Sequence, residues 1–189
     1  MRLKKQIAIL ALGAGFAACT PQPATNLIED NMEFAQQQLR FAFDEIDYAI
    51  VNESPESRAK REKNGWGELT NPRNSEPDGT LNLVPSKDWT SGFFPGELWF
   101  LYEYTQNNFW KKKAQQHTDI LEKEKMNGST HDMGFKVYCS FGNGYRLTQD
   151  EHYKEVLLQS ARTLATRFKP AAGIIRSWDH STAKWVCPV

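Results

Sequence analysis

An excess of charge of either sign is missing from this sequence, in which Lys plus Arg and Asp plus Glu both number 23. Without a basic surplus there is no electrostatic footprint for nucleic acid, and without an acidic run nothing gathers cations. Cysteine is scarce, at three residues. The four histidines, His117, His131, His152 and His180, do not combine with these cysteines at any zinc-ligand spacing, so no metal site is expected. Also absent are a phosphate-cradling glycine loop, a Gly-x-Ser-x-Gly nucleophile elbow and a helical repeat of about 34 or 40 residues. The longest apolar run, from Ile7 to Ala18, is too short for a permanent membrane-spanning helix. Nucleotide-binding, serine-hydrolase, common solenoid and integral-membrane readings all lose their footing.

That apolar run has another use. Arg2, Lys4 and Lys5 precede it and Cys19 closes it, the order of an export signal over residues 1–18. Phe16-Ala17-Ala18-Cys19 resembles a bacterial lipobox, in which the cysteine becomes the lipidated N-terminus; Phe16 stands where an aliphatic residue is usual. Thr20-Pro21-Gln22-Pro23 then reads as part of a polar tether over residues 19–25. The expectation is a lipid-anchored protein outside the cytoplasm, in the periplasm or at the outer membrane, each buried CH2 of the acyl chains adding about 0.8 kcal/mol of membrane affinity. In such an oxidising compartment Cys139 and Cys187 can form one bridge, but Cys139 lies in an apolar helical run where a small buried thiol is the commoner role.

From residue 26 onwards helical spacing dominates. Met32, Ala35, Leu39, Phe43, Ile46 and Ile50 follow at three or four residues and predict a helix over 26–50. About thirty-five residues rich in Pro, Gly and Asn come next, with turn signals at Asn64-Gly65, Asn71-Pro72 and Asp78-Gly79. A second helix is expected to start near Pro95 and pass through Leu98, Leu101 and Tyr104, and a third carries Trp110, Ala114, His117 and Leu121. A fourth is expected to align Phe135, Tyr138, Phe141 and Tyr145, and a fifth runs from Tyr153 to Phe168, stopped before Pro170. No alternating strand pattern is evident. Helices joined by uneven loops predict an all-α barrel of helical hairpins.

Carboxylates and indoles recur at predicted helix starts and loops: Asp88 with Trp89, His131 with Asp132, Trp178 with Asp179. In a helical barrel these ends gather at one mouth. Indole faces pack against the C–H faces of pyranose rings, and carboxylates accept hydroxyl hydrogens or exchange protons, so the set suits a sugar cleft. Each residue has a plainer reading too: Asp88 or Asp132 as helix caps, Trp89 as core, His131 as a partner for loop backbone.

The strings Asp88-Trp89-Thr90-Ser91-Gly92-Phe93-Phe94-Pro95-Gly96-Glu97-Leu98-Trp99, Thr130-His131-Asp132-Met133-Gly134-Phe135 and Gly173-Ile174-Ile175-Arg176-Ser177-Trp178 resemble, in order, the family 88 glycoside hydrolases, the unsaturated glucuronyl hydrolases. The resemblance implies about the first half of an (α/α)6 barrel, a six-hairpin glycosidase fold, over residues 26–189. It also implies an enzyme that removes a 4,5-unsaturated uronic acid from the non-reducing end of lyase-generated glycosaminoglycan oligosaccharides. The family's reaction hydrates the C4–C5 double bond and needs no metal or organic cofactor, unlike the paired-carboxylate displacement of ordinary glycosidases. By position Asp132 matches the first catalytic aspartate, His131 its pocket neighbour, and Trp89 and Trp178 the aromatic walls of the subsite. The family's second aspartate follows a segment like Trp185-Val186-Cys187-Pro188-Val189 by a few residues, and this chain ends at Val189, so it is expected to be an N-terminal fragment. The alternatives are an unsaturated rhamnogalacturonyl hydrolase and a non-catalytic sugar-binding lipoprotein fragment.

Overall fold

A computed structural model describes residues 24–177 and Asp179. Cys19, Trp178 and Cys187 lie outside the described residues.

The first helix, α1 (Ala24–Val51), buries Phe43 and Ile46 and half-buries Met32, Ala35 and Leu39, as its apolar spacing requires. Helix α2 (Pro55–Lys63) is different, burying no residue at all. It is defined by its ends. The Ser54 hydroxyl accepts the Ser57 amide hydrogen at 3.1 Å, Pro55 fills the first turn, and Arg61 grips the Glu53 carboxylate through Nε and Nη2 at 2.9 and 2.8 Å.

Residues 69–85 correct the expectation of a chain without strands. Strands β1 (Leu69–Ser75) and β2 (Leu81–Pro85) form an antiparallel hairpin, closed by a turn in which Gly79 takes φ +90° and Asp78 accepts from the Thr80 amide and hydroxyl. The register shifts between Leu69 and Asn71 and again between Pro72 and Asn74. Two irregularities and a proline that cannot donate to the ladder erase the alternation by which a strand is read.

The remaining core is helical. Helix α3 (Phe93–Thr105) buries Phe94, Leu98, Trp99 and Leu101, turns through left-handed Gln106, and returns as α4 (Asn108–Asp119), capped by the Asn107 side chain. Trp99 Nε1 donates to Thr118 Oγ1 at 3.0 Å across this pair. A 3-10 turn (Glu122–Met126) leads to a π-helical segment (Gly134–Gly142), which continues into α5 (Asn143–Thr148). Helix α6 (Glu151–Ala165) and a short hairpin of β3 (Phe168–Lys169) with β4 (Ile174–Ile175) complete the described chain. Phe168 is exposed on β3 rather than closing the last helix. In the π-helical segment the expected face is also wrong: Phe135 and Tyr138 are exposed, while Met133, Val137 and Phe141 are buried. The wide i→i+5 turn keeps residues four apart in line, whereas an α-helix mixes threes and fours. No helix among the described residues is long and apolar enough to cross a membrane.

His117 sits in the middle of this core, stacked on Phe43 and meeting Phe94 edge-on, with Nδ1 2.8 Å from Asn71 Oδ1. Asn71 in turn donates Nδ2 to the Ser91 carbonyl at 2.8 Å, which orients its amide so that Oδ1 accepts from the imidazole. The two side chains join β1, the loop before α3, and α4. Burial pushes the His117 pKa down to about 4, helped by Lys113 and opposed by Asp47. An unfolded histidine titrates at about 6.5, so the native state binds fewer protons between these values. Its contribution is complete above about pH 6.5 and drains away as the pH falls towards 4, amounting to about 3 kcal/mol. Urea unfolding across this range should show that loss, and His117→Gln, which keeps a polar partner for Asn71, should remove most of the difference from the wild-type slope.

Candidate active site

Two loops meet above the α3 and π-helical segments. The first, residues 86–92, is folded by its own side chains: Asp88 Oδ1 accepts from the Thr90 amide at 2.9 Å and hydroxyl at 2.6 Å, and the Ser91 hydroxyl donates to the Ser86 carbonyl. Asp88 is thus half spent as a turn-forming residue. Its Oδ2 lies 3.3 Å from Arg73 Nη1 on β1. The second loop, residues 127–132, is tied down by Arg167, buried at the end of α6. Its guanidinium donates to the carbonyls of Gly128, Arg176 and Ser177 at 2.7–2.8 Å and pairs with Asp179 at 2.9 Å. Arg176 also pairs with Asp179. Asp179, one of the candidate carboxylates, is therefore an anchor between two arginines that hold its carboxyl below the usual range.

Beneath both loops lies an ion pair. Glu124 accepts from the Ser86 hydroxyl at 2.6 Å and from Asn127 Nδ2 at 2.7 Å, so one carboxylate pins the root of each loop. Its counter-ion is Lys136, 1% exposed, with Nζ 3.7 Å from Glu124 Oε2, beyond hydrogen-bond reach. Burial lowers the Lys136 pKa, against the pull of Glu124, Asp132 and Asp88. A buried ammonium with no hydrogen bond among the described residues is an expensive arrangement, and its field reaches both loop aspartates.

Asp132 is not a side-chain cap. Its Oδ2 accepts from the Thr130 hydroxyl at 3.0 Å, while the same hydroxyl oxygen accepts the Asp132 amide at 3.1 Å. Only its backbone carbonyl serves the following helix, accepting from Lys136 N. Its other oxygen lies 3.3 Å from His131 Nε2. His131 Nδ1 is 2.8 Å from the Ser177 carbonyl and must donate to it, since a carbonyl can only accept. With Nδ1 committed, any hydrogen bond between Nε2 and the carboxyl needs one further proton, on the imidazole or on the acid. The pair is a place where a proton can be held.

Asp132, Thr130, Asp88 and Trp89 line one open cavity of about 730 Å3, which residues of α2 and the β1–β2 hairpin line as well. Trp89 is 42% exposed yet fixed, because Phe93 and Phe135 meet it edge-on with ring centroids 5.8 and 5.7 Å away. Trp66 lines the same cavity, 41% exposed between Gly65 and Gly67, which take φ +57° and +80°. The sequence reading brings Asp132 and Trp89 to one mouth, and the structure has them there, with His131 in contact with Asp132. Trp66, Arg73 and Lys136 escape that reading. An indole between two glycines and a lysine within an apolar run were the available signals. Among the described residues no three His, Cys, Asp or Glu side chains group as metal ligands. Cys139 is half-buried, and burial raises its thiol pKa.

Paired helices with a polar cleft at their loop ends, lined by two indoles, are a helical-hairpin architecture. The comparisons with known proteins sharpen that class. No family model matches the chain. Over 110 residues it is 53% identical to an unsaturated glucuronyl hydrolase of Formosa agariphila, a match covering 58% of this chain and 28% of the relative. It is 32% identical over 111 residues to an unsaturated glucuronyl hydrolase of Bacillus sp. strain GL1, covering 57% and 29%. Among solved structures, an unsaturated glucuronyl hydrolase specific for heparin superposes with a TM-score of 0.58 at 36% identity, over 79% of this chain and 37% of that one. Over the matched residues the chain is similar to unsaturated glucuronyl hydrolases, and its helices match part of their (α/α)6 barrel. It spans less than a third of the length of these curated relatives.

Proposed function

We propose that this chain serves the removal of 4,5-unsaturated uronic acid from the non-reducing end of oligosaccharides left by polysaccharide lyases, glycosaminoglycan fragments above all. The observation that carries the reading is the meeting of Asp132, held by Thr130 and His131, with the fixed, exposed indole of Trp89 in one cavity. The reaction is hydration: a proton goes to C4, water adds at C5, and the resulting hemiketal opens and expels the following sugar. Asp132 is assigned to the sugar hydroxyls beside the double bond as the catalytic carboxylate of this part of the site. His131 holds its orientation and shares its proton, and Trp89 and Trp178 wall the ring. Incubation with the unsaturated chondroitin disaccharide, following the ultraviolet absorbance of the conjugated double bond alongside calorimetric binding, tests it. Turnover or saturable binding is expected; neither would overturn the reading, and preference for a pectin-derived fragment would move it to the rhamnogalacturonyl hydrolases.

We also propose that residues 1–18 direct export and that Cys19 is lipidated, with residues 19–25 as the tether, on the strength of the basic start, the apolar run and Ala17-Ala18-Cys19. Expression in bacteria fed labelled palmitate should label the protein and place it with membranes. Cys19→Ser should lose both, and an unlabelled wild type would sink the assignment.

A further inference from the structure

The loop carrying Trp89 and the loop carrying Asp132 have separate anchors. Asn71 on β1 donates to the Ser91 carbonyl at 2.8 Å and holds the first, and Arg167, just past α6, donates to the Gly128 carbonyl at 2.7 Å and holds the second. Between them runs a chain of hydrogen bonds. The Ser91 hydroxyl donates to the Ser86 carbonyl at 2.7 Å, the Ser86 hydroxyl to Glu124 Oε1 at 2.6 Å, and Asn127 Nδ2 to Glu124 Oε2 at 2.7 Å. Asn127 Oδ1 then accepts from the Ser129 amide and hydroxyl at 3.1 and 2.6 Å. At the centre of the chain Glu124 and Ser86 are both buried, so solvent does not replace a lost link. Lys136 reaches the same chain from below. It stands in the turn that Asp132 opens, its amide donating to the Asp132 carbonyl at 3.2 Å, and its buried ammonium supplies the charge opposite Glu124. The carboxylate's two short bonds are charge-assisted and stronger than neutral ones. Buried under the site, Glu124 offers nothing to a ligand, yet each of its oxygens belongs to a different wall.

We propose that Glu124, with Lys136 as its counter-ion, is a positioning residue: it joins the two loops into one body and so sets the separation of the Trp89 indole from the Asp132 carboxylate. The role in sugar binding rests on the reading given under Proposed function, whereas the joining of the loops does not. A ring that must meet an indole and a carboxylate together tolerates little slack, since a misplacement of about 1 Å costs about a hundredfold in rate.

Hydrogen exchange of the loop amides, measured beside calorimetric binding of the unsaturated chondroitin disaccharide, provides the test. In Ser86→Ala the amides of Ser129 and Asp132, in the other loop, should exchange about tenfold faster, and in Asn127→Ala those of Thr90 and Ser91 should do the same, while the α4 amides keep wild-type rates. Each variant should bind the sugar about tenfold more weakly, the cost of one link to a charged acceptor. The two changes together should cost little more than either alone, because either loss already breaks the chain. Two neutral pairs keep the test open if these variants unfold, since a buried ion pair can be exchanged for uncharged residues without loss of the fold. Glu124→Gln with Lys136→Met retains an acceptor for Asn127 and a donor for the Ser86 hydroxyl oxygen, and should keep the loops joined; Glu124→Leu with Lys136→Met should release them. Faster exchange confined to the altered loop, affinity losses that multiply, or two neutral pairs that behave alike overturn the positioning role and leave the functional reading standing. A wild type that binds no sugar overturns that reading and the role in binding with it, while the exchange rates still decide whether Glu124 joins the loops.

Discussion

Gly92→Ala should strongly destabilise the fold. Gly92 has an ordinary helical backbone, φ −87° and ψ −10°, so any residue can adopt its conformation. The obstacle is what lies against it. A Cβ there would stand 2.2 Å from the carbonyl oxygens of both Phe135 and Lys136, separations that no rotamer change relieves because both atoms are backbone. Four residues on, a Cβ at Gly96 would lie 2.9 Å from the Cys139 carbonyl. The two glycines form one smooth strip along the start of α3, on which the π-helical segment lies backbone to backbone. Ordinary overpacking costs about 1–3 kcal/mol, and a clash with two carbonyls that can yield only by moving a helix should exceed that. Against a net stability of about 5–15 kcal/mol the loss is severe, and at about 2–4 °C per kcal/mol the melting temperature should drop by roughly 10 °C or more. Gly96→Ala should lose less. Circular dichroism melts of the two variants beside the wild type would decide it, and a Gly92→Ala protein melting with the wild type would mean that the helices do not meet as described.

The same strip shows where sequence and structure part company. The Ser91-Gly92-Phe93-Phe94-Pro95-Gly96 wording stands out as a motif, yet its glycines owe their presence to carbonyls some forty residues later in the chain, a tertiary fact with no local trace. By contrast α1 is expected over 26–50 and found at Ala24–Val51, because its apolar stripe is a local property written in the residues themselves. The hairpin of residues 69–85 shows only its turn in advance. Asp78-Gly79 is a readable signal, but β1 has Leu69 as its sole large aliphatic residue, and its buried positions include Thr70 and Asn71. Asn71 is buried because His117 and Ser91 satisfy its amide, and those partners come from other elements. For the site, adjacency makes the His131–Asp132 contact legible, and Trp89 is found where it is expected. Trp66 and Arg73 are not legible, because they reach the cavity only when the hairpin and the loop before it fold against the residues 86–92 loop. The Glu124–Lys136 pair is hidden for a related reason: lysine within an apolar run reads as a surface residue until the carboxylate that receives it is known.

Asp132→Asn should abolish turnover of an unsaturated disaccharide while leaving the fold in place, and the local hydrogen bonds explain both halves. An asparagine has the volume of the aspartate and keeps an oxygen for the Thr130 hydroxyl, now 3.0 Å away. His131 gains as well. Its Nδ1 remains the donor to the Ser177 carbonyl, so in the neutral ring Nε2 carries a lone pair, and the new amide can donate to it with no additional proton. Nothing is left buried and unpaired, so the melting temperature should stay within a few degrees of the wild type, in line with substitutions that break no buried network. The chemistry fares otherwise. An amide neither holds nor releases a proton near neutral pH, and it offers the sugar hydroxyls a weaker acceptor than a carboxylate. Losing one proton-transfer group costs about 10²–10⁴ in rate, and one that also orients the sugar belongs at the upper end. Asp88→Asn provides the contrast, since Asp88 is engaged by Thr90 and Arg73: it should weaken the loop before α3 and lower activity through geometry, with the melting temperature falling in step. An Asp132→Asn protein that retains turnover would remove Asp132 from the reaction, whereas loss of activity together with loss of the fold would make its carboxylate a structural group.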